Sequence, residues 1–176
     1  GHSAMIVLAV LIVLCGAALS PLRAATFIVN SPADTDDGVC DSVNCTLREA
    51  INAANANPGR DIIVFWLGSG TPTIQLATPL PQITDKVVID GGTDGATRTE
   101  LNGALIQTEA TGLRVASADN TLRSLVVNGF NGYGIEISGA GGNRVENCFV
   151  GCTASGMQAS PNRLAGIALT GSSDNL

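Results

Sequence analysis

Aromatic residues are scarce in this 176-residue chain, at 3% of the total, and charged residues make up only 14%. Nine lysines and arginines stand against fifteen aspartates and glutamates, a formal net charge of −6, and the basic residues form no cluster. We therefore expect neither nucleic acid nor an anionic membrane surface as a partner, because both attract positive charge. No glycine-rich loop leads into a helix, so we expect no nucleotide site either.

Histidine and lysine are almost absent, since His2 and Lys86 are the only examples. His2 lies in an N-terminal segment, described below, that we expect to be removed as a signal peptide. Serine-histidine, cysteine-histidine and histidine-ligated zinc mechanisms are therefore not expected. What the chain does contain is 45% hydrophobic residues and 21 glycines. That composition is sufficient for one core and favours a mainly β fold over a helical bundle.

Residues 4–19 are uncharged and almost wholly apolar. A run of about 16 residues is short for a bilayer-spanning helix and typical of a signal peptide. We therefore expect residues 1–24 to be a signal peptide that is cleaved after Ala24, and the remaining chain to be secreted. The alternative is an uncleaved membrane anchor. Secretion permits disulfides, and the cysteines that remain are Cys40, Cys45, Cys148 and Cys152.

Residues 25–60 are predicted to form a head that is distinct from the rest of the chain. A short strand at 26–30 is followed by an acidic, turn-rich loop at 31–41. The loop runs into a Cys-x4-Cys pair, and we expect a disulfide between Cys40 and Cys45 to staple it.

A capping box, Thr46-Leu47-Arg48-Glu49, predicts that a helix begins after Thr46. Apolar residues then recur at helical spacing on one face, at Leu47, Ala50, Ile51 and Ala54. Asn57-Pro58-Gly59 ends the helix after about three turns. The residues expected to form a structural cap are Thr46, Leu47, Arg48, Glu49, Ala50 and Ile51.

Residues 61–176 consist of short β-prone runs separated by Gly, Pro, Asn and Asp, and they repeat. The segment 112–115 recurs at 134–137, an offset of 22, and 120–122 recurs at 143–145, an offset of 23. This regular spacing is typical of one coil of a parallel β-helix, in which each coil pairs only with its neighbours.

The next copies begin at Gly166 and Asn175, both offset by 32, and residues 153–162 supply an inserted loop that explains the longer step. A leucine-rich repeat is the nearest alternative, but the apolar positions lack its regular leucine spacing. A sandwich of hairpins would not predict a constant offset.

Residues 40–55, CDSVNCTLREAINAAN, resemble the N-terminal head of secreted bacterial CSLREA-domain proteins, with Thr46 in place of the serine. The runs that follow resemble the first coils of that family, so the resemblance covers essentially all of the chain after the leader. It implies a mainly β fold, a right-handed parallel β-helix with a short N-terminal capping α-helix. It also implies a secreted protein or one on the bacterial cell surface or outer membrane. The resemblance implies no established catalytic or binding activity for the head.

The expected organisation is a signal peptide at 1–24, a disulfide-stapled cap at 25–60, and the first coils of a truncated β-helix at 61–176. A cap has a physical reason, because an open first coil exposes unpaired backbone groups and apolar core. At the other end, we expect self-association through the uncapped last coil.

Acidic residues supply the weak candidates for a metal site. Carboxylate oxygens are ligands that Ca²⁺ prefers, and the acidic loop carries four of them, Asp34, Asp36, Asp37 and Asp41. Their spacing does not match an EF-hand loop, so a solvated turn is favoured over calcium, and no other cofactor is expected. A glycosidase pair among Asp90, Asp94 and Glu100 is likewise disfavoured, because Gly91-Gly92 indicates a turn.

The repeat offset also predicts which side chains stack between coils, at about 4.8 Å. The predicted stacks are Arg114 with Glu136, Arg123 with Glu146, Val126 with Phe149, and a ladder of Asn120, Asn143 and Asn175. A disulfide between Cys148 and Cys152 is disfavoured, because four residues of extended strand span about 13 Å and a bridge needs Cα atoms within about 7 Å. A bend at Gly151 would relieve this.

The sequence therefore predicts a non-catalytic secreted or surface-displayed β-helix protein, adhesin-like or scaffold-like. Its flat polar faces would bind polysaccharide or an extracellular surface. The alternative is the N-terminal part of a carbohydrate-active β-helix enzyme, a polysaccharide lyase or glycosidase, with its active site beyond residue 176. The third interpretation is a purely structural spacer. No residue is assigned a catalytic or cofactor-binding role.

Overall fold

The computed structural model describes residues 23–176, so most of the expected signal peptide, with His2, lies outside the described residues. Within this range the chain forms one helix, α1 (Leu47–Ala56), and a series of short strands. The strands are β1 (Thr26–Val29), β2 (Asp61–Phe65), β3 (Thr73–Gln75), β4 (Val87–Asp90), β5 (Thr99–Asn102), β6 (Leu113–Val115), β7 (Thr121–Arg123), β8 (Leu125–Asn128), β9 (Tyr133–Ser138), β10 (Arg144–Glu146), β11 (Phe149–Val150) and β12 (Ala165–Thr170).

These strands pair in parallel and form three sheets. The five-stranded sheet has the order β1-β2-β4-β7-β10, the four-stranded sheet β11-β8-β5-β3, and the three-stranded sheet β12-β9-β6. Each sheet has two edge strands, so none of them closes into a barrel within residues 23–176. The expectation of a mainly β fold with one short helix near the N-terminus is confirmed.

Consecutive strands visit the three sheets in the same order. The chain passes through β4, β5 and β6, then β7, β8 and β9, then β10, β11 and β12, one strand in each sheet each time. We call each such set of three a row. An earlier row has β2 and β3 in the first two sheets, and Ile83 makes a parallel bridge to Val115 in the third.

The register between rows agrees with the sequence in the second half of the chain. Leu113 pairs with Ile135, an offset of 22, and Thr121 pairs with Arg144, an offset of 23. The longer step also agrees, because Ile135 pairs with Ile167, an offset of 32. Rows nearer the N-terminus are spaced differently.

Aliphatic side chains stack from row to row inside the molecule. Ile63, Ile89 and Leu122 are successive partners in the five-stranded sheet, and each is at most 1% exposed. The side chains of Ile74, Leu101 and Val127 do the same in the four-stranded sheet. Burial of these rows in one continuous cluster supplies the main stabilising free energy of the fold.

Glycine is required where the turns of adjacent rows approach each other. A Cβ atom on Gly134 would lie 2.7 Å from the carbonyl oxygen of Gly166 in the next row, closer than carbon and oxygen atoms can pack. Gly112 makes the same approach to the carbonyl of Gly134. This close contact explains why glycine opens the first two copies of the repeated segment, at Gly112 and Gly134.

Helix α1 packs against β1 and β2. The apolar side chains predicted to form its inner face, Leu47, Ala50, Ile51 and Ala54, are buried and belong to the same core as the strands. The helix ends at Ala56, directly before the Asn57-Pro58-Gly59 sequence that predicts its end. The face and the bounds of the helix are therefore as expected.

Candidate functional site

A disulfide joins Cys40 and Cys45 in the loop before α1, as the sequence predicts, with 4.2 Å between the two Cα atoms. Cys45 is fully buried. Its amide donates to Oδ1 of Asn30 at 2.7 Å, and its carbonyl accepts from the amide of Asn30 at 3.0 Å. The bridge therefore holds the loop against the end of β1.

The capping box forms at the start of α1. Thr46 Oγ1 accepts from the amide of Glu49 at 3.3 Å, and Glu49 Oε2 accepts from the amide of Thr46 at 2.7 Å. The second carboxylate oxygen, Oε1, accepts from the amide of Asp37 at 2.8 Å. Glu49 is buried, and its carboxylate thus ties the acidic loop to the helix N-terminus, where negative charge is favoured.

Arg48 connects the head to the segment that follows β3. Its Nη2 lies 2.6 Å from Oδ1 of Asp34, and both side chains are nearly buried, at 12% and 7% exposed. Its Nη1 donates to the carbonyl of Pro79 at 2.6 Å, and Oδ2 of Asp34 accepts from the amides of Ala77 and Thr78 at 2.9 Å each. The sequence analysis missed this ion pair, whose two members lie 14 positions apart, and also the bonds from Ala77 and Thr78, which lie more than 40 positions from Asp34.

The structure does not gather the four aspartates proposed as calcium ligands. Asp34 is held by Arg48, and each of the other three accepts a hydrogen bond from a backbone amide two residues ahead: Gly38 to Asp36, Val39 to Asp37, and Val43 to Asp41. Within residues 23–176, no three side chains of His, Cys, Asp or Glu come together in a way that could hold a metal ion. The arrangement is that of hydrogen-bonded turns.

Asp41 is the aspartate nearest the disulfide. The amides of Asn44 and Val43 donate to its Oδ1 at 2.9 and 2.7 Å and lower the pKa of its carboxyl. Asp41 therefore stays ionised throughout the neutral range and contributes a fixed negative charge at this edge of the head.

A cleft of about 340 Å³ lies between β1 and the disulfide loop. Its volume is at the lower end of the range for small-ligand sites, about 300–1,000 Å³. Strand β1 is the edge strand of the five-stranded sheet, so one of its sides is free of a neighbouring strand. The lining residues are Thr26, Phe27, Ile28, Asn30, Cys40, Asp41, Ser42 and Trp66.

Trp66, the only tryptophan of the chain, lines this cleft and is 59% exposed. Its amide donates to the carbonyl of Val29 at 2.8 Å, which fixes its backbone beside the end of β1. The sequence analysis missed this residue. Buried and exposed side chains alternate along β2, and this alternation predicts that Trp66 is exposed. Ile63 and Phe65 are buried, so the next residue lies on the outer face.

The predicted stacks between rows all have the expected register, but one ion pair has a different partner. Arg114 Nε lies 3.2 Å from Oε2 of Glu136, as expected. Arg123 is in register with Glu146, yet its Nη2 contacts Oδ2 of Asp90 at 2.7 Å. Glu146, which Arg123 does not contact, pairs with Arg144 on its own strand. Val126 pairs with Phe149, as expected.

The asparagine ladder forms as predicted. Oδ1 of Asn175 accepts from the amide of Asn143 at 3.0 Å, and Oδ1 of Asn143 accepts from the amide of Asn120 at 3.0 Å. The ladder continues one row further than predicted, because Oδ1 of Asn120 accepts from the amide of Val87 at 2.7 Å. Each side chain therefore replaces a backbone partner at a turn.

Cys148 and Cys152 are not bridged, as the strand length argues. The Sγ of Cys148 donates to the carbonyl of Glu146 at 3.3 Å. Burial raises the pKa of this thiol, while a backbone hydrogen bond and the charge of Arg98 oppose the shift. The thiol therefore remains protonated at neutral pH, which disfavours reactivity.

The outer face of the four-stranded sheet carries a polar network. Oε2 of Glu100 accepts from Oγ1 of Thr73 at 2.7 Å, and Oε1 accepts from Nδ2 of Asn128 at 2.7 Å. Nε2 of Gln75 donates to Oδ1 of Asn102 at 3.1 Å. Both oxygens of Glu100 are thus hydrogen-bonded to neutral side chains, of which Asn128 is buried and Thr73 is exposed.

Between residues 23 and 176, no helix is both long enough and apolar enough to cross a membrane. Comparison of the sequence with models of known protein families finds no match, and no curated protein matches it. The resemblance of residues 40–55 to CSLREA heads therefore stays a prediction.

Proposed function

We propose that this chain is the cap and the first coils of a right-handed parallel β-helix of the CSLREA type, carried by a secreted or surface-displayed bacterial protein. Its role is non-catalytic: as an adhesin or scaffold, it binds neutral polysaccharide through the cleft that contains Trp66. The single observation on which the binding role rests is the exposure of this ring beside a cleft.

The strand order supports the solenoid. Each row places one strand in each of three parallel sheets, and neighbouring rows pair in register in all three. The chain makes one such circuit per row around a continuous aliphatic interior. This path is typical of the coils of a parallel β-helix. The right hand of the coil follows from the general preference of parallel crossover connections.

The contacts of α1 support a capping role. Its buried face packs on β1 and β2, at the first edge of the five-stranded sheet. Side-chain bonds extend this contact around the first row: Arg48 donates to the carbonyl of Pro79, and Nδ2 of Asn55 donates to the carbonyl of Gln82 at 2.7 Å. A helix fixed in this way covers apolar core that the first coil would otherwise expose.

The chemistry of the cleft supports a sugar as ligand. An indole ring presents a flat apolar face with a polar N–H at its edge, and this combination complements a sugar ring, which has C–H groups on its faces and hydroxyls at its rim. Ser42 and Asn30 supply polar groups on the cleft wall. The ionised carboxylate of Asp41 and the net charge of −6 favour neutral over acidic polysaccharides.

The test uses the fluorescence of Trp66, because no other tryptophan contributes to the signal. We expect neutral hexasaccharides of glucose, mannose or N-acetylglucosamine to shift its emission to shorter wavelength in a saturable way. Trp66→Ala should weaken binding, measured by calorimetry, by about 2 kcal/mol, roughly thirtyfold. The matched control is Leu105→Ala, an apolar residue of similar exposure, at 55%, that does not line the cleft.

Two outcomes would reject the sugar-binding role. One is an emission spectrum that none of the three hexasaccharides changes. The other is a Trp66→Ala variant that binds as tightly as Leu105→Ala. Saturable binding of an acidic polysaccharide such as polygalacturonate in preference to the neutral sugars would contradict the argument from charge.

Within the described residues, a glycosidase pair among Asp90, Asp94 and Glu100 receives no support, while the alternative of a polysaccharide lyase or glycosidase with its active site beyond residue 176 stays a prediction. Asp90 is paired with Arg123, and both oxygens of Glu100 accept hydrogen bonds from neighbouring side chains. We therefore favour the binding role for the part of the molecule that the structure describes.

A further inference from the structure

Asp61, the first residue of β2, carries a carboxylate that is completely buried. Its Oδ1 accepts from the backbone nitrogen of Ala25 at 2.8 Å and from Nδ2 of Asn57 at 2.8 Å. Its Oδ2 is also buried and has no hydrogen-bond partner. Within residues 23–176, none of the ion pairs includes Asp61.

This arrangement is energetically incomplete. A buried carboxylate is costly unless a positive charge or a full set of donors compensates it, and the two donors present are uncharged amides. A polar atom without a partner in the interior adds a further cost. The site would be satisfied by a cation with several N–H donors at the position of the Ala25 nitrogen.

The sequence places such a cation at that position. Cleavage after Ala24 would make Ala25 the first residue of the exported chain, and its nitrogen would become an α-ammonium. The carbonyl of Ala25 accepts from the amide of Ile62 at 2.9 Å, so Ala25 is held beside β2 by a bond that does not depend on Arg23 or Ala24.

We infer that Asp61 is the binding site for the new N-terminus, and that removal of residues 1–24 creates an ion pair between the Ala25 ammonium and the Asp61 carboxylate. In the cleavage, a peptidase adds water across the amide bond between Ala24 and Ala25. Ala24 leaves with a carboxylate, and the amine of Ala25 takes up a proton. This inference rests on the expected processing and is independent of the sugar-binding proposal.

The ammonium matches the donors that the site lacks. An amide offers one N–H, whereas an ammonium offers three and a full charge, so it can bind both carboxylate oxygens. The amide nitrogen of Asn57 carries two N–H groups, and it donates both to the carbonyl of Arg23 and to Oδ1 of Asp61, at 2.8 Å each. The bond from Asn57 to Asp61 therefore does not depend on Arg23. Processing therefore locks β1 onto β2.

The first part of the test follows the natural product. The full chain is expressed in a bacterium that exports proteins, and the mass of its exported form is measured. We expect an N-terminus at Ala25. The folded product is then treated with acetic anhydride, with Lys86 as an internal reference for an accessible amine. The Ala25 amine should be protected relative to Lys86 in the folded protein and react fully in urea.

The second part compares the uncut and processed forms in the same detergent. Processing should raise the Tm of the wild-type protein by about 5 °C, as expected for one charge-assisted hydrogen-bonded pair in a chain of this size. Asp61→Asn keeps the size and the hydrogen-bonding capacity of the side chain but loses its charge, so it should abolish most of this rise. Asp85→Asn, a change at a neighbouring carboxylate that does not contact Ala25, should retain it.

Several results would overturn the inference. They are an exported chain that begins elsewhere, a chain that stays uncut, and an Ala25 amine that reacts as fast in the folded protein as in urea. Equal rises in Tm for the wild-type and Asp61→Asn proteins would show that Asp61 acts as a structural side chain only. If Asp61→Asn does not fold, the protection of the wild-type amine decides the question.

Discussion

Arg123 lies between two carboxylates in one line of the five-stranded sheet and contacts Asp90, with 2.7 Å between Nη2 and Oδ2. Glu146, in register with it on the other side, pairs with Arg144 at 2.6 Å instead. The side chain of Asp90 is 14% exposed and that of Glu146 is 42% exposed. Arg123 therefore contacts the carboxylate that is less screened by water, where an ion pair is stronger.

The two carboxylates should differ in their effect on stability. Asp90→Asn should lower the free energy of unfolding by about 1 kcal/mol, because it removes the charge that pairs with Arg123 at a side chain that is only 14% exposed. Glu146→Gln should lower it by less than about 0.5 kcal/mol, since its pair with Arg144 is exposed. Urea unfolding at low and high salt measures both. Equal losses would contradict the preference of Arg123 for Asp90.

The asparagine ladder should be more sensitive at a buried member than at its last member. Asn143 is 2% exposed, and truncation to alanine leaves the amide of Asn120 without its acceptor. We expect Asn143→Ala to lower the free energy of unfolding by about 2 kcal/mol. Asn175→Ala is the matched control and should cost less, because Asn175 is only half-buried. Urea unfolding with equal m-values would show that the difference reflects stability.

The disulfide should stabilise the head by restricting a short loop in the unfolded chain. Cys40 and Cys45 are five positions apart in the sequence, and a loop of this size predicts about 2 kcal/mol. A Cys40→Ser/Cys45→Ser double variant should lose this amount in thermal or urea unfolding. Cys152→Ser, which removes an unbridged thiol, should leave the free energy of unfolding nearly unchanged. An equal effect of both variants would reject the role of the bridge.

Local patterns in the sequence predict much of the head and of the last rows. The capping box fixes the start of α1, and the recurrence of Gly112 at Gly134 reflects a close contact between turns. The earlier rows could not be aligned in this way, because their offsets differ. Val88 pairs with Thr121, an offset of 33, since an irregular segment at 103–112 lengthens that row.

The candidate site was harder to predict, because its parts are distant in sequence. Trp66 meets the disulfide loop only through the pairing of β1 with β2, and no local pattern specifies that pairing. The same applies to Asp61 and Ala25, which are 36 residues apart. The partner of Arg123 was predicted wrongly because the register leaves a carboxylate on either side, and relative exposure decides between them.

The partly buried thiol of Cys148 should be slow to react. Burial raises the pKa of this thiol, so the reactive thiolate is depleted at pH 8, and depletion of the thiolate slows alkylation. In a Cys152→Ser background, iodoacetamide should modify Cys148 much more slowly in the folded protein than in urea. Equal rates would show that Cys148 is accessible and that burial does not protect it.

A protein that consists of residues 25–176 should self-associate through its last row. Ile167 and Leu169 pair with Ile135 and Ile137, which are buried in the core of the preceding row. The side chains of Ile167 and Leu169 are themselves 45% and 57% exposed, so they leave an apolar surface that a second copy can cover.

We therefore expect the mass measured by light scattering to rise with protein concentration. An Ile167→Lys/Leu169→Lys double variant should remain monomeric, because association would bury its charges without partners. The matched control is Val43→Lys, a change at an apolar residue of the head that is 88% exposed, and it should associate as the wild type does. A wild-type protein that is monomeric at every concentration, or a double variant that associates equally, would exclude this row as the interface.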